Sequence, residues 1–470
     1  MQTDCTSDQV EFQGLGRRVV VARFDAGRTS SDGGVMLLRE VAERTGWLER
    51  FAGCFRDGRE AARTEHTVGE LVAQRVLGIA LGYEDLNDHE TLRDDALLAL
   101  ASGKRDVTGA ERSRERDRGH ALAGKSTLNR LEHGGRAQAT RYHRIDHDGA
   151  AIERQFVDCF LDAHAEPPAR IVLDLDATDD PLHGHQEGRF FHGYYGNYCY
   201  LPLYVFCGDH LLVAKLRTAD RDAAAGAVEE LTRVVGQIRT RWPAVEIWIR
   251  ADSGFARESI MAWCEANDVH YVLGLAKNAR LRRAIGRALA EAEAEQRKTQ
   301  APARRFEELR YRTRKSWSRE RRVVAKGEWL PGKPNPRFVV TSLAADAYDA
   351  QTLYETIYCA RGDMENRIKE QQLALFADRT STVTMRANQL RLWLSSMAYV
   401  LVAHLRRIGL EGTALAHAQA GTIRLRLFKI AAIVRVSARR IAISFSSVFP
   451  PQSLFRVVLV QLQRASPVPN

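Results

Sequence analysis

Three carboxylates stand in local contexts that suit metal-assisted phosphoryl transfer. They are Asp176 in IVLDLDATDD, Asp252 in VEIWIRADSGFA and Glu365 in YETIYCARGDMENRIKEQQ. The first two sit at or near the ends of apolar, β-branched runs, and the third lies on a stretch with helical period. Two strand-end aspartates and a helical glutamate can hold two divalent ions about 3.5–4 Å apart, which activates a nucleophile and stabilises a leaving oxygen. Cleavage or joining of nucleic acid is the leading chemistry.

Alternation along a strand sets Val172, Asp174 and Asp176 on one face and Ile171, Leu173 and Leu175 on the other. Asp176 is the preferred ligand, being nearer the C-terminal end of the run; the competing reading places it with Asp179 and Asp180 in a turn that binds nothing. Asp252 closes its strand just before Ser253-Gly254, at the edge where open α/β sheets carry their chemistry. The same residues also suit a simple helix N-cap. At about 100° per residue, Tyr358, Arg361, Glu365, Lys369 and Gln372 share one helical stripe, with Asp363 and Glu370 on the other side. Arg361 and Glu365 at i, i+4 would also make an ordinary surface ion pair.

The surrounding pattern divides the chain into parts that must position these groups. Residues 1–165 read as a mainly helical domain, with a first helix after the N-cap candidates Ser30, Ser31 and Asp32. Its polar gap, KRDVTGAERSRERDRGH, reads as a mobile loop. The short helix after it presents Lys125 and Arg130, as a DNA-contacting helix or as a solvated face. Residues 166–280 and 338–412 read as the two parts of an α/β core resembling ribonuclease H. Three antiparallel strands lead into alternating helix and strand.

Between them, 281–337 reads as a β-rich insertion with ten Lys or Arg against three Glu over 304–326. It is expected to present Arg310, Arg312, Arg314, Lys315, Arg319, Arg321 and Arg322 around Trp317. That Trp either stacks on an unpaired base, worth roughly 1–3 kcal/mol, or fills the small sheet's own core. Residues 413–470 read as a helical, basic tail.

Composition agrees with a polyanionic partner: the net charge is +10 and the pI about 9.3, and neutralised phosphates release counterions. Seven scattered cysteines without a Cys-x-x-Cys pair indicate neither a disulfide framework nor a zinc site, so a reducing cytoplasm is expected. His183, His185 and His192 follow no standard zinc spacing. No segment reads as a signal peptide or a membrane span, and no Walker-type motif implies a nucleotide cofactor.

With these residues in view, the chain resembles bacterial insertion-sequence transposases of the DDE superfamily, in the thirteen-eighty group. The motifs that carry the resemblance are SSDGGVMLLRE, STLNRLE, LDLDATDDPLHGHQEG, RADSGFA and the Tyr358, Arg361, Glu365 spacing, across about residues 30–375. It implies a ribonuclease-H-like catalytic domain with a β insertion before the glutamate, and Asp176, Asp252 and Glu365 as a triad holding two Mg²⁺ or Mn²⁺ ions. It also implies a helical N-terminal DNA-binding domain, double-stranded DNA as partner (the element's terminal inverted repeats and the target) and a homodimer on DNA. Tyr358 and Arg361 would position the scissile phosphate, and Trp317 would be the platform for a flipped base in hairpin formation. Where the family signature has Lys, seven residues after the glutamate, this chain has Gln372; Lys369 is the nearby cation on the same stripe. A two-metal nuclease without transposition and an inactive transposase-derived DNA-binding protein are the competing functions.

Overall fold

The computed structural model describes residues 9–134 and 144–465. A hairpin of β1 (Gln9–Leu15) and β2 (Arg18–Arg23) comes first, followed by helices α1 (Val35–Thr45), α2 (Val68–Leu81), α3 (Lys125–Glu132) and α4 (Gly149–Asp162). A capping box between Thr67 and Glu70 starts α2, satisfying two orphan amides reciprocally. Asp32 does not cap α1: the N-cap is Gly34, without a side-chain bond. Buried Asp32 instead accepts from the Tyr83 hydroxyl at 2.6 Å and from Lys429 Nζ at 2.5 Å. Gly33-Gly34 is explained by close approach, since a Cβ on Gly34 would stand 2.2 Å from the Leu427 carbonyl oxygen.

The polar gap over 104–120 is not the mobile loop that its composition suggests. Asp106 accepts from the amides of Thr108, Gly109 and Glu111, Arg112 pairs with Glu65, and Val107, Ala121 and Leu122 are buried. Low hydrophobicity misleads here because side-chain-to-backbone bonds hold the segment.

The central sheet is mixed. It contains β3 (Arg170–Ala177), β4 (Leu203–Cys207), β5 (His210–Lys215), β6 (Glu246–Ala251), β7 (His270–Leu275), β8 (Ala303–Tyr311), β9 (Arg321–Leu330) and β10 (Arg337–Thr341), in the spatial order β5-β4-β3-β6-β7-β10-β9-β8. The expected antiparallel trio is β3, β4 and β5, and β6 runs parallel to both β3 and β7. The basic segment is continuous with this sheet, because β9 pairs with β10 and β8 extends the edge.

Period-two alternation sorts the two faces. Leu173, Leu175, Ile247 and Ile249 pack under helices α5 (Ala227–Arg241) and α6 (Glu258–Ala266). Tyr204 and Phe206 point the other way, where Phe206 meets Tyr399 edge-on at 5.7 Å. That face is covered by α7 (Gly362–Leu375) and the buried α8 (Met385–His404).

The apolar core under the N-terminal helices also takes in α8 and residues as far on as Leu462. Glu132, at the end of STLNRLE, is fully buried between Arg75 and Arg391 at 2.9 and 2.6 Å. The tail is not wholly helical: β11 (Ala432–Ser437) and β12 (Arg440–Phe445) form a hairpin before α9 (Gln452–Arg464). Alternating Val434, Val436, Ile441 and Ile443 share one face of the hairpin and carry that period. Among the described residues, no helix is long and apolar enough to cross a membrane.

Candidate active site

Asp176 lies next to last in β3, and Asp252 follows the last residue of β6. Because Arg250 faces Asp174 in the parallel register of these neighbouring strands, alternation brings Asp252 to the same side as Asp176. The Asp176 carboxylate accepts the amide of Ala177 at 2.9 Å through Oδ1, and the Asp252 carboxylate accepts that of Gly254 at 2.8 Å. Asp252 is therefore an N-cap as well as a strand-end carboxylate. Asp174, the other aspartate on the face, is consumed by a bidentate pair with Arg250 at 2.6 and 2.8 Å. Arg250 also donates to the Ile357 carbonyl at 2.6 Å, tying the sheet to the segment before Glu365. The alternation in EIWIRAD that orients Asp252 equally marks Arg250, which sequence reasoning passed over.

The stretch before Glu365 is not one uniform helix. It winds wide over Leu353–Tyr358 with π-type bonding, tightens to a 3₁₀ turn at Cys359–Arg361, and only then becomes α7. Such irregular turns are frequent at functional sites. This winding brings Tyr358, Arg361 and Glu365 against the strand ends. Arg361 donates to Asp176 Oδ2 at 3.3 Å and to Glu365 Oε1 at 2.5 Å. It is thus no simple surface pair: Arg361 and Asp176 are both 17% exposed, and the contact between them spans 185 residues. Glu365 is more open, at 43%.

Tyr358 packs where only glycine fits. A Cβ on Gly274 would stand 2.5 Å from the Tyr358 hydroxyl, 3.0 Å from the Ser253 nitrogen and 3.2 Å from the Asp252 carbonyl carbon. Gly274 is a second position that the sequence marks, since a Gly in an apolar strand signals close approach.

Burial pushes the Asp176 carboxyl up to about 6 against the pull of Arg361, with the Asp252 and Glu365 charges adding to the rise. Tyr358 is raised as well, by burial first. The donor set suits a hard divalent cation, being all carboxylate oxygen. The guanidinium of Arg361 stands in as the cation between two of the three groups. With it in place, no three acidic, His or Cys side chains among the described residues converge on one metal position.

The remaining site candidates divide. Lys369 is exposed one turn beyond Glu365. Gln372 donates to the Asp179 carbonyl at 3.1 Å, holding the chain that leaves β3. Lys125 and Arg130 are exposed on α3, Lys125 Nζ reaching Asn87 at 3.4 Å. Arg312, Arg314, Lys315 and Arg319 are exposed around the β8–β9 turn, with Arg312 donating to the Trp317 carbonyl and Arg319 to Glu265.

Arg321 and Arg322 are not presented at all. Arg321 is held by Glu258 and Glu265, and Arg322 by Glu308 and the carbonyls of Leu343 and Tyr348. Trp317 offers no free face to a base. It is 4% exposed, edge-on to Tyr311 at 5.6 Å and capped by Arg321 at 5.5 Å, so it fills the core beside the hairpin.

None of the curated proteins matches this sequence. Among solved structures, the chain is similar to a piggyBac transposase in a cryo-EM synaptic complex with hairpin DNA, at 10% identity over 85% of this chain and 80% of that one, with a TM-score of 0.40. The sequence model of one family, described as the transposase DDE domain group 1, matches residues 12–467. Since that match runs through nearly the entire chain, the protein belongs to the DDE-domain transposases of this group.

Proposed function

We propose that this protein is a cut-and-paste DNA transposase of a bacterial insertion sequence, built on a ribonuclease-H-like core. It binds the element's terminal inverted repeats and carries out strand cleavage and transfer with Asp176, Asp252 and Glu365 as its catalytic carboxylates. The observation that carries this reading is the single guanidinium of Arg361 spanning Asp176, near the end of β3, and Glu365, in the first turn of α7. The order of the first five core strands, third-second-first-fourth-fifth, supports the fold assignment. The net charge of +10 supports a polyanionic partner.

Asp176, Asp252 and Glu365 would hold two Mg²⁺ or Mn²⁺ ions, which when bound supply activation of water and stabilisation of the departing 3′-oxygen. The chain's own groups do the rest. Arg361, released from the carboxylates, clamps the scissile phosphate with its planar fork of donors. Tyr358, seated on Gly274 beside Asp252, donates its hydroxyl to the same phosphate. Exposed Lys369 meets the backbone one turn farther along, taking over the contact that Gln372 does not make. The exposed Arg312, Arg314, Lys315 and Arg319, together with exposed Lys125 and Arg130, contact flanking phosphates.

The deciding experiment is Mg²⁺-dependent cleavage of DNA carrying the gene's flanking repeats, comparing wild type with Glu365→Gln and Asp252→Asn. Cleavage at the repeat boundary by wild type, with both variants binding but not cutting, is the expected result. Cleavage indifferent to the repeats would instead indicate a general two-metal nuclease, and repeat binding without cleavage an inactive DNA-binding descendant.

A further inference from the structure

We infer that a basic groove among the N-terminal helices seats the phosphate backbone of one strand of the element's end-repeat DNA, with the charged segment over 104–120 supplying one of its walls. The groove encloses about 1060 Å³. Three stretches far apart in the sequence supply most of its lining: 59–66, 112–117 and the first turns of α3. Eight arginines line it against four carboxylates. Of these arginines, Arg63, Arg114, Arg116, Arg130 and Arg144 are exposed.

The groove's carboxylates are engaged by the chain itself. Glu65 pairs with Arg112 at 2.6 Å, Asp117 with Arg93 at 3.5 Å, and Glu90 accepts the Lys125 amide at 2.9 Å. The fourth, Glu60, meets Arg63 at 3.3 Å in an exposed pair, which is worth little in water. Arg114 has no carboxylate partner among the described residues. Arg116 reaches Asp117 only at 3.9 Å and is 76% exposed. The segment that carries these two is held in place: Arg112 donates to the His120 carbonyl at 2.8 Å, and the Gly119 amide to the Gly109 carbonyl at 3.0 Å. The wall is therefore formed before any ligand arrives, which lowers the ordering cost of binding.

The lining selects the occupant. Ile145 is its one large apolar side chain and is 2% exposed, so a protein partner finds no pocket for an apolar anchor. Guanidinium forks match phosphate oxygens. Ser113, Ser126 and Thr127, which also line the groove, are of the types that contact the DNA backbone. Converging arginines repel one another, and a polyanion relieves that repulsion while its counterions are released. Phosphate contacts fix register rather than read bases, and end-repeat DNA needs a fixed register because its cleavage must fall at one boundary. The inference rests on the transposase reading for the identity of the DNA and adds the surface that holds it.

The test reads binding without cleavage. Full-length protein and a duplex carrying the flanking repeat are mixed without divalent ions, and affinity is followed by fluorescence anisotropy from about 50 to 200 mM salt. The double variant Arg114→Ala, Arg116→Ala should bind about tenfold or more weakly. Its plot of log affinity against log salt should be shallower by about 1.8, the share of two phosphates, with the melting temperature unchanged. Arg105→Ala, exposed in the same segment but outside the groove, should change neither. Hydroxyl-radical footprinting should show wild type protecting a run of sugars on one strand at a fixed distance from the repeat boundary, and the double variant losing that run alone. Repeat binding with an unchanged slope and footprint in the double variant would overturn the groove and leave the transposase reading standing. Equal losses from Arg105→Ala would also overturn it, since net charge would then account for the effect. An intact footprint with impaired capture of target DNA would assign the groove to the target instead, and a wild type indifferent to the repeats would overturn both readings.

Discussion

Asp176→Asn should stabilise the metal-free protein, and the size of the effect follows from the site. The carboxyl titrates at about 6 in the fold against 3.8 ordinarily. Between these values the folded state binds more protons than the unfolded one, so stability falls as pH rises from about 4 to 6. Above that the loss is complete, at about 3 kcal/mol for a difference of this size. That figure already contains the attraction of Arg361, and the side chain is only 17% exposed, so little of it is screened.

Asn keeps an oxygen for the Ala177 amide and carries no charge. Urea unfolding at pH 7.5 without divalent ions should show the variant more stable by about 1–3 kcal/mol. Near pH 4 the gain should shrink below about 1 kcal/mol. Mg²⁺ should stabilise wild type but not the variant, closing the gap, because a ligand of the folded state adds stability by mass action. A variant that is equally or less stable at pH 7.5, or a gain that does not depend on pH, would refute the reasoning.

Gly274→Ala places a methyl group against the Tyr358 hydroxyl and the Asp252 backbone; overpacking of this kind costs about 1–3 kcal/mol. Repeat-end cleavage should slow by about tenfold or more, the equivalent of 1.4 kcal/mol, while gel-shift affinity for the repeats holds. Trp317→Ala should cost about 3–5 kcal/mol in unfolding experiments, with the DNA affinity of the folded fraction intact; a selective loss of DNA binding would restore the stacking role.

Much of the architecture was legible because it rests on local rules. Alternation in IVLDLDATDD and EIWIRAD sorts core-facing from site-facing residues whatever the rest of the chain does, and the order of strands and helices limits the sheet to few topologies. The segment over 104–120 was misread because composition does not reveal which polar groups will find backbone partners. Arg321 and Arg322 were misread because a basic, β-prone run looks the same whether its charges meet DNA or Glu258, Glu265 and Glu308, and of the two readings open for Trp317 burial favours the core.

What the sequence determined by itself is the identity and strand-end or helical setting of Asp176, Asp252 and Glu365, since side-chain direction follows from backbone period. Tertiary structure alone decided that Arg250 takes Asp174 out of contention, that Arg361 spans Asp176 and Glu365, and that Gly274 makes room for Tyr358. Those facts depend on distances between segments up to 185 residues apart, set by the winding of Leu353–Tyr358 against the sheet and by the packing of its two faces. Local propensity carries no information about either.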